Sequence, residues 1–125
     1  MANPNIVGVT SILGNTTSVA AAVADRALAN NPDGSGKVFK INTIIATNNN
    51  TSDAATVHIN LYPEDDLGGV SNAIAHAISV PVNSSLIVID KNTSFYLKEN
   101  QSIGGNATTT SSIVYTTSFE EISSS

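Results

Sequence analysis

The chain has 125 residues, a length suited to one domain that can bury a core without disulfides or a structural metal. Charged residues are only 12%, the net charge is −5, and 16 Ser, 13 Thr and 15 Asn take the place of the missing charges. Five basic residues give no cationic stripe for nucleic acid or an anionic membrane, and zero Cys excludes thiolate chemistry and disulfides.

Taken in chain order, period-two patterning dominates. Residues 6–13 are β-branched and strand-like, with a break expected at Gly14-Asn15. Residues 17–30 (TSVAAAVADRALAN) leave two readings open. Alanine content favours a helix, whereas the thin apolar stripe of Val19 and Val23 favours extended chain, the preferred reading. Residues 31–36 (NPDGSG) form a turn by composition, with Pro fixing φ and Gly supplying positive φ.

Residues 36–48 (GKVFKINTIIATN) alternate Phe39, Ile41, Thr43 and Ile45 against Lys40, Asn42, Ile44 and Ala46. The Asn-rich run 48–53 then reads as a hairpin loop. In residues 55–62, Ala55, Val57, Ile59 and Leu61 share one face and Thr56, His58, Asn60 and Tyr62 the other. Residues 72–80 place Ile74, His76, Ile78 and Val80 together and end at Pro81. Short apolar runs follow at 85–90, 95–97 and 101–103. The last strand, 111–122, alternates Ile113, Tyr115, Thr117 and Phe119 with Val114, Thr116, Ser118 and Glu120, and 123–125 form a frayed tail.

Eight or nine short strands separated by Asn, Gly and Pro turns predict an all-β, single-domain antiparallel β-sandwich, jelly-roll-like, over residues 1–125. Residues 1–13 would serve as an N-terminal arm or an edge strand. The start Met1-Ala-Asn-Pro-Asn lacks the basic and apolar regions of a signal peptide, so synthesis in a cytoplasm is expected.

Chemistry-bearing groups are few. A catalytic serine needs a base and an orienting group, and the chain holds only His58 and His76, one on the polar face of its strand and one among isoleucines. Neither lies in an HxH or HExxH spacing, so no zinc site is expected. Glu64-Asp65-Asp66 lacks the alternate-residue ligand pattern of a calcium loop. Asp33-Gly34-Ser35-Gly36-Lys37 is a glycine-rich loop without nucleotide-binding spacing. Asn-x-Ser/Thr triplets at Asn15, Asn49, Asn50, Asn83, Asn92 and Asn106 follow from composition. No catalytic, cofactor-binding or metal-binding residue is therefore assigned, and the chain is expected not to be an enzyme. A neutral Ser/Thr/Asn surface suits repeated protein contacts, because few charges must be desolvated and little side-chain entropy is lost.

Three blocks carry a likeness. The opening NPNIVGVTSILGNT from Asn3, the central GKVFKINTIIATN from Gly36, and the closing series ISVPVNSSLIVI, FYLKENQSI and SFEEI from Ile78, Phe95 and Ser118 resemble small virion structural proteins of tailed bacteriophages, notably cyanobacterial ones. The Ala-rich residues 20–32 depart from that pattern. The resemblance implies a β-sandwich virion component on the outer capsid surface, a decoration (cement) protein bridging major capsid protein subunits, with copies of itself as further partners, a trimer being the expected number. The alternatives are a neck, tail or fibre component and, more remotely, a carbohydrate- or ligand-binding module. No cofactor is implied.

Overall fold

A computed structural model of the protein describes residues 11–90, 92–108 and 113–123. It contains nine strands: β1 (Ser11–Ala20), β2 (Arg26–Asn31), β3 (Lys37–Asn48), β4 (Ala55–Tyr62), β5 (Asn72–Val80), β6 (Ser85–Ile89), β7 (Phe95–Leu97), β8 (Gln101–Ala107) and β9 (Ile113–Ser123). They pair like the rungs of one long hairpin bent between β4 and β5: β1 with β9, β2 with β8, β3 with β6 and β7, β4 with β5. Rolling that ladder sets β9 against β3 and β8 against β4. The result is a front sheet β1-β9-β3-β6, with β7 also on β3, and a back sheet β2-β8-β4-β5. All pairings are antiparallel, as expected, and the strand order, which the sequence does not supply, is that of a jelly roll.

Alternating apolar residues from both sheets form one cluster, with Ile41, Ile44 and Ile113 of the front sheet against Val57, Ile59 and Ile103 of the back. Phe39 and Phe119 stack with ring centroids 5.1 Å apart. Tyr115, also buried, crosses the core: its hydroxyl donates to the Asn106 carbonyl at 2.6 Å and lies 3.3 Å from that of His58, tying β9 to β8 and β4. Burial pushes its pKa well above the usual tyrosine value. Gly105 opens the space for this ring, since a Cβ there would sit 2.9 Å from Tyr115 Cε2 and 3.0 Å from Leu28 Cδ1.

Several expectations are corrected. β1 runs straight through Gly14-Asn15, because ten consecutive pairs with β9 supply the order that the local sequence does not. Residues 17–30, by contrast, follow the preferred extended reading: they close β1, turn, and form most of β2. The alternation in β3 changes phase at a bulge between Ile41 and Thr43, so Phe39 and Ile41 are followed inward by Ile44 and Ala46 instead of Thr43 and Ile45. Residues 48–53 are no hairpin loop, since β3 and β4 lie in different sheets and the segment crosses between them. β5 carries two register breaks opposite β4, which keep Ile78 and Val80 with the core but turn His76 out. β8 continues through Gly104-Gly105 to Ala107. Of the tail, Ser123 is the last residue of β9, paired with Ser11 and Lys37. Of the expected arm, residues 11–13 begin edge strand β1. Residues 2–10, 111–112 and 124–125 of these expectations lie outside the described residues.

Candidate functional site

The two histidines, far apart in sequence, meet on the outside of the back sheet. A break in β5 sets His76 and Ala77 opposite His58, and the imidazole centroids stand 4.8 Å apart at 62°. Ala77 adopts φ 54°, and its amide donates to His58 Nδ1 at 3.1 Å. An accepting Nδ1 places the proton of neutral His58 on Nε2, which ties the ring to the bulge. Nearby, Asp25 from the β1–β2 loop accepts hydrogen bonds from Tyr62, Asn106 and, at 3.0 Å, Asn60. Partial burial pushes the Asp25 carboxyl up, but these three donors and the neighbouring His58 together outweigh it and hold the carboxyl below its ordinary value. The bond that Tyr62 donates to Asp25, with burial, raises the Tyr62 hydroxyl in turn. This network clamps a loop onto β4 and β8. Sequence reading misses Asp25, because it sits in an Ala-rich stretch with no motif around it.

The acidic cluster also has structural partners. Asp65 Oδ2 accepts from the Asp33 amide at 3.0 Å, and Asp66 Oδ1 from Asn30 Nδ2 at 2.9 Å. Among the described residues, no group of three or more His, Asp or Glu side chains is arranged to hold a metal. Ser102 anchors the same loop from below, donating to the Glu64 carbonyl at 2.8 Å and accepting from the Leu67 amide at 2.9 Å. The glycine-rich loop cradles an anion of its own chain: the Gly34 and Gly36 amides donate to the two oxygens of Glu99 at 3.1 and 3.0 Å. Gly34 and Gly36 have φ of 82° and 70°, as that loop requires.

Two surfaces remain for recognition. The first is a cleft of about 560 Å³ between β1 and β2, where the two sheets part. Its apolar lining comprises Val19, Leu28, Phe39 and Phe119, and a Lys37–Glu121 ion pair at 3.0 Å closes one side. Lys37 and then Asn15, which donates to Glu121 at 3.0 Å, lower the Glu121 carboxyl against the opposing effect of burial.

The second is the outer face of the front sheet. Cross-strand register places Thr16 beside Ser118 and Thr43, Ser18 beside Thr116, Ile45 and Ile87, and Ala20 beside Val114, Thr47 and Ser85. These three rows contain no charged side chain. Hydroxyls pair across strands, Thr47 with Ser85 at 3.0 Å and Thr16 with Ser118 at 3.4 Å. Ile87 ends the middle row on edge strand β6 and is 61% exposed. Sequence reading finds the composition of this face but not its location, because the bulge after Ile41 decides which β3 residues point outward.

No protein-family description and no curated protein matches the chain. Among solved structures, it is similar to a chain from Bacillus endospore appendages, described as a novel family of disulfide-linked pili, with 16% identity over 90% of this chain and 86% of that one and a TM-score of 0.44.

Proposed function

We propose that this chain is a non-enzymatic structural protein of a tailed-phage virion, a decoration protein that bridges major capsid protein subunits on the outer shell. The observation that carries the reading is the block of three charge-free rows on the outer face of the front sheet, bordered by the Lys40–Glu120 row. Its β-branched and hydroxyl side chains are already ordered by cross-strand contacts, so packing them against a neighbour desolvates no ion and orders few rotamers. An acidic, cation-poor chain also suits a place outside the DNA-filled shell. In this reading the protein acts through area buried at each bridge, repeated over the lattice, and needs no catalytic step. Further copies of the chain join it there, with a trimer at local threefold positions as the expected arrangement.

The test is co-sedimentation of the purified chain with shells that lack it. Wild-type protein should pellet with the shells, and Ile87→Lys, which places a charge on the middle of the three neutral rows, should stay in solution while keeping its β-rich circular dichroism. Equal binding by Ile87→Lys, or no binding by the wild type, contradicts the reading. A second reading, a neck, tail or fibre component, is favoured by the firmly anchored loop after β4, which presents Val70 at 85% exposure for an outside contact.

A further inference from the structure

A sheet edge offers unpaired amides and carbonyls, and proteins blunt such edges with bulges, charges, prolines or brevity. Three of the four sheet edges here carry such devices. β2 has six residues, opens with Arg26 and breaks register between Ala27 and Ala29. β5 has two breaks and the left-handed Ala77. On the remaining side of the front sheet, β6 has five residues with a break against β3, and β7 has three.

β1 has none of them. Its ten residues, SILGNTTSVA, include no charge and no proline, and its ladder with β9 is unbroken from Ser11↔Ser123 to Ala20↔Val114. Among the described residues no strand pairs with its outer edge. Ile12 and Leu13 are 57% and 58% exposed. The Arg26 guanidinium reaches the β1 backbone only at its last residue, donating to the Ala20 carbonyl at 3.3 Å.

The order of residues in β1 also names the partner. In a two-fold antiparallel pair centred on Thr16, Ile12 faces Ala20, Leu13 faces Val19, Gly14 faces Ser18, Asn15 faces Thr17, and Thr16 faces its own copy. Apart from Gly14 against Ser18, apolar meets apolar and polar meets polar, and cross-strand pairs of these kinds are the favourable ones. Centring the pair on Asn15 instead sets Ile12 against Ser18 and Leu13 against Thr17. Uncharged, unbroken and self-complementary in one register, the strand fits the isologous geometry of a two-fold contact.

We infer that β1 is an assembly edge that pairs antiparallel with β1 of a second copy, centred on Thr16, joining two front sheets into one. The inference stands apart from the capsid reading. On a shell, such a two-fold pair would link copies at neighbouring threefold positions; in solution it is tested without any shell.

Light scattering during size-exclusion chromatography, run across micromolar concentrations, measures the pairing. Wild type should elute as a species containing the β1 pair, and Thr16→Lys, which sets two ammonium groups face to face, should weaken association by roughly a hundredfold. Thr16→Glu should do the same, and an equimolar mixture of the two variants should recover the pair. Unaltered circular dichroism shows that the variants fold. Register is read separately: Thr16→Cys, the only thiol in an otherwise Cys-free chain, should oxidise to a covalent dimer far faster than Ser18→Cys. A wild-type monomer, association indifferent to Thr16→Lys, failure of the mixture to recover, or equal oxidation at both positions overturns the inference. Each result leaves the shell-binding assay to be judged on its own.

Discussion

Asn31 and Asn48 stand at opposite ends of β3 in matching roles, each fully buried and each stitching one sheet to the other. Asn31, last in β2, donates through Nδ2 to the carbonyls of Lys37 at 2.9 Å and Leu97 at 3.1 Å, both in the front sheet. Asn48, last in β3, donates to the carbonyls of Val80 at 3.0 Å in the back sheet and Asp53 at 3.1 Å in the crossing loop. The same side chain accepts from the Asn50 amide at 2.9 Å. A buried carbonyl left without a donor is costly, so these two side chains let the chain pass between sheets without stranding its backbone.

Replacing either asparagine by Ala should therefore lower stability by about 1–3 kcal/mol, the penalty for an unsatisfied buried group. Urea unfolding checks this through a lower midpoint with an unchanged slope. A midpoint equal to wild type for both variants would show that water satisfies the carbonyls instead.

Gly105→Ala should cost about 1–3 kcal/mol as an overpacking change, because the new methyl meets the Tyr115 ring and Leu28. Gly14→Ala is the control: nothing lies within 4 Å of a Cβ there, so its thermal midpoint should stay close to wild type.

These cases also show what local patterning can and cannot reveal. Alternation in residues 55–62 and 113–119 is uninterrupted, and both strands bury the faces that it predicts. In β3 and β5 the alternation is equally visible, yet bulges at Asn42 and around His76 reset it, and no local residue pattern marks them. The Asn-rich segment 48–53 shows its turn chemistry through Asn50, whose Oδ1 accepts from the Ser52 and Asp53 amides at 2.8 and 3.1 Å. Whether such a turn returns along the same sheet or crosses to the other depends on where β9 inserts, a contact made from the far end of the chain. For the same reason the Asp25 network, which joins the β1–β2 loop to β4 and β8, and the His58–His76 contact between β4 and β5 are invisible to spacing rules.

The Asp25 network predicts a pH dependence of definite sign. Its folded carboxyl lies below the ordinary value, so the network favours the folded state above about pH 4 and loses that contribution as acid protonates the folded group. Asp25→Asn should melt at a lower temperature than wild type at neutral pH, with the gap narrowing as pH falls below about 4. A gap constant with pH would assign the effect to packing alone.

His58→Ala should release the Ala77 amide, whose acceptor is His58 Nδ1. Hydrogen exchange at Ala77 should accelerate, while the amides of Ile59 and Gly105, paired across β4 and β8, should keep their protection. Unchanged exchange at Ala77 would mean that the strand pairing, not the imidazole, holds the bulge.

A decoration protein is a repeated lattice component of a virion, as proposed above for this sandwich. Quantitative mass spectrometry of purified phage particles whose genome encodes the chain tests it most directly, by comparing its copy number with that of the major shell protein. A one-to-one or small-integer ratio is expected of a decoration protein. A ratio of a few per cent would contradict a place on the capsid lattice and move the protein to the neck, tail or fibres, and its absence from the particles would contradict the virion reading itself.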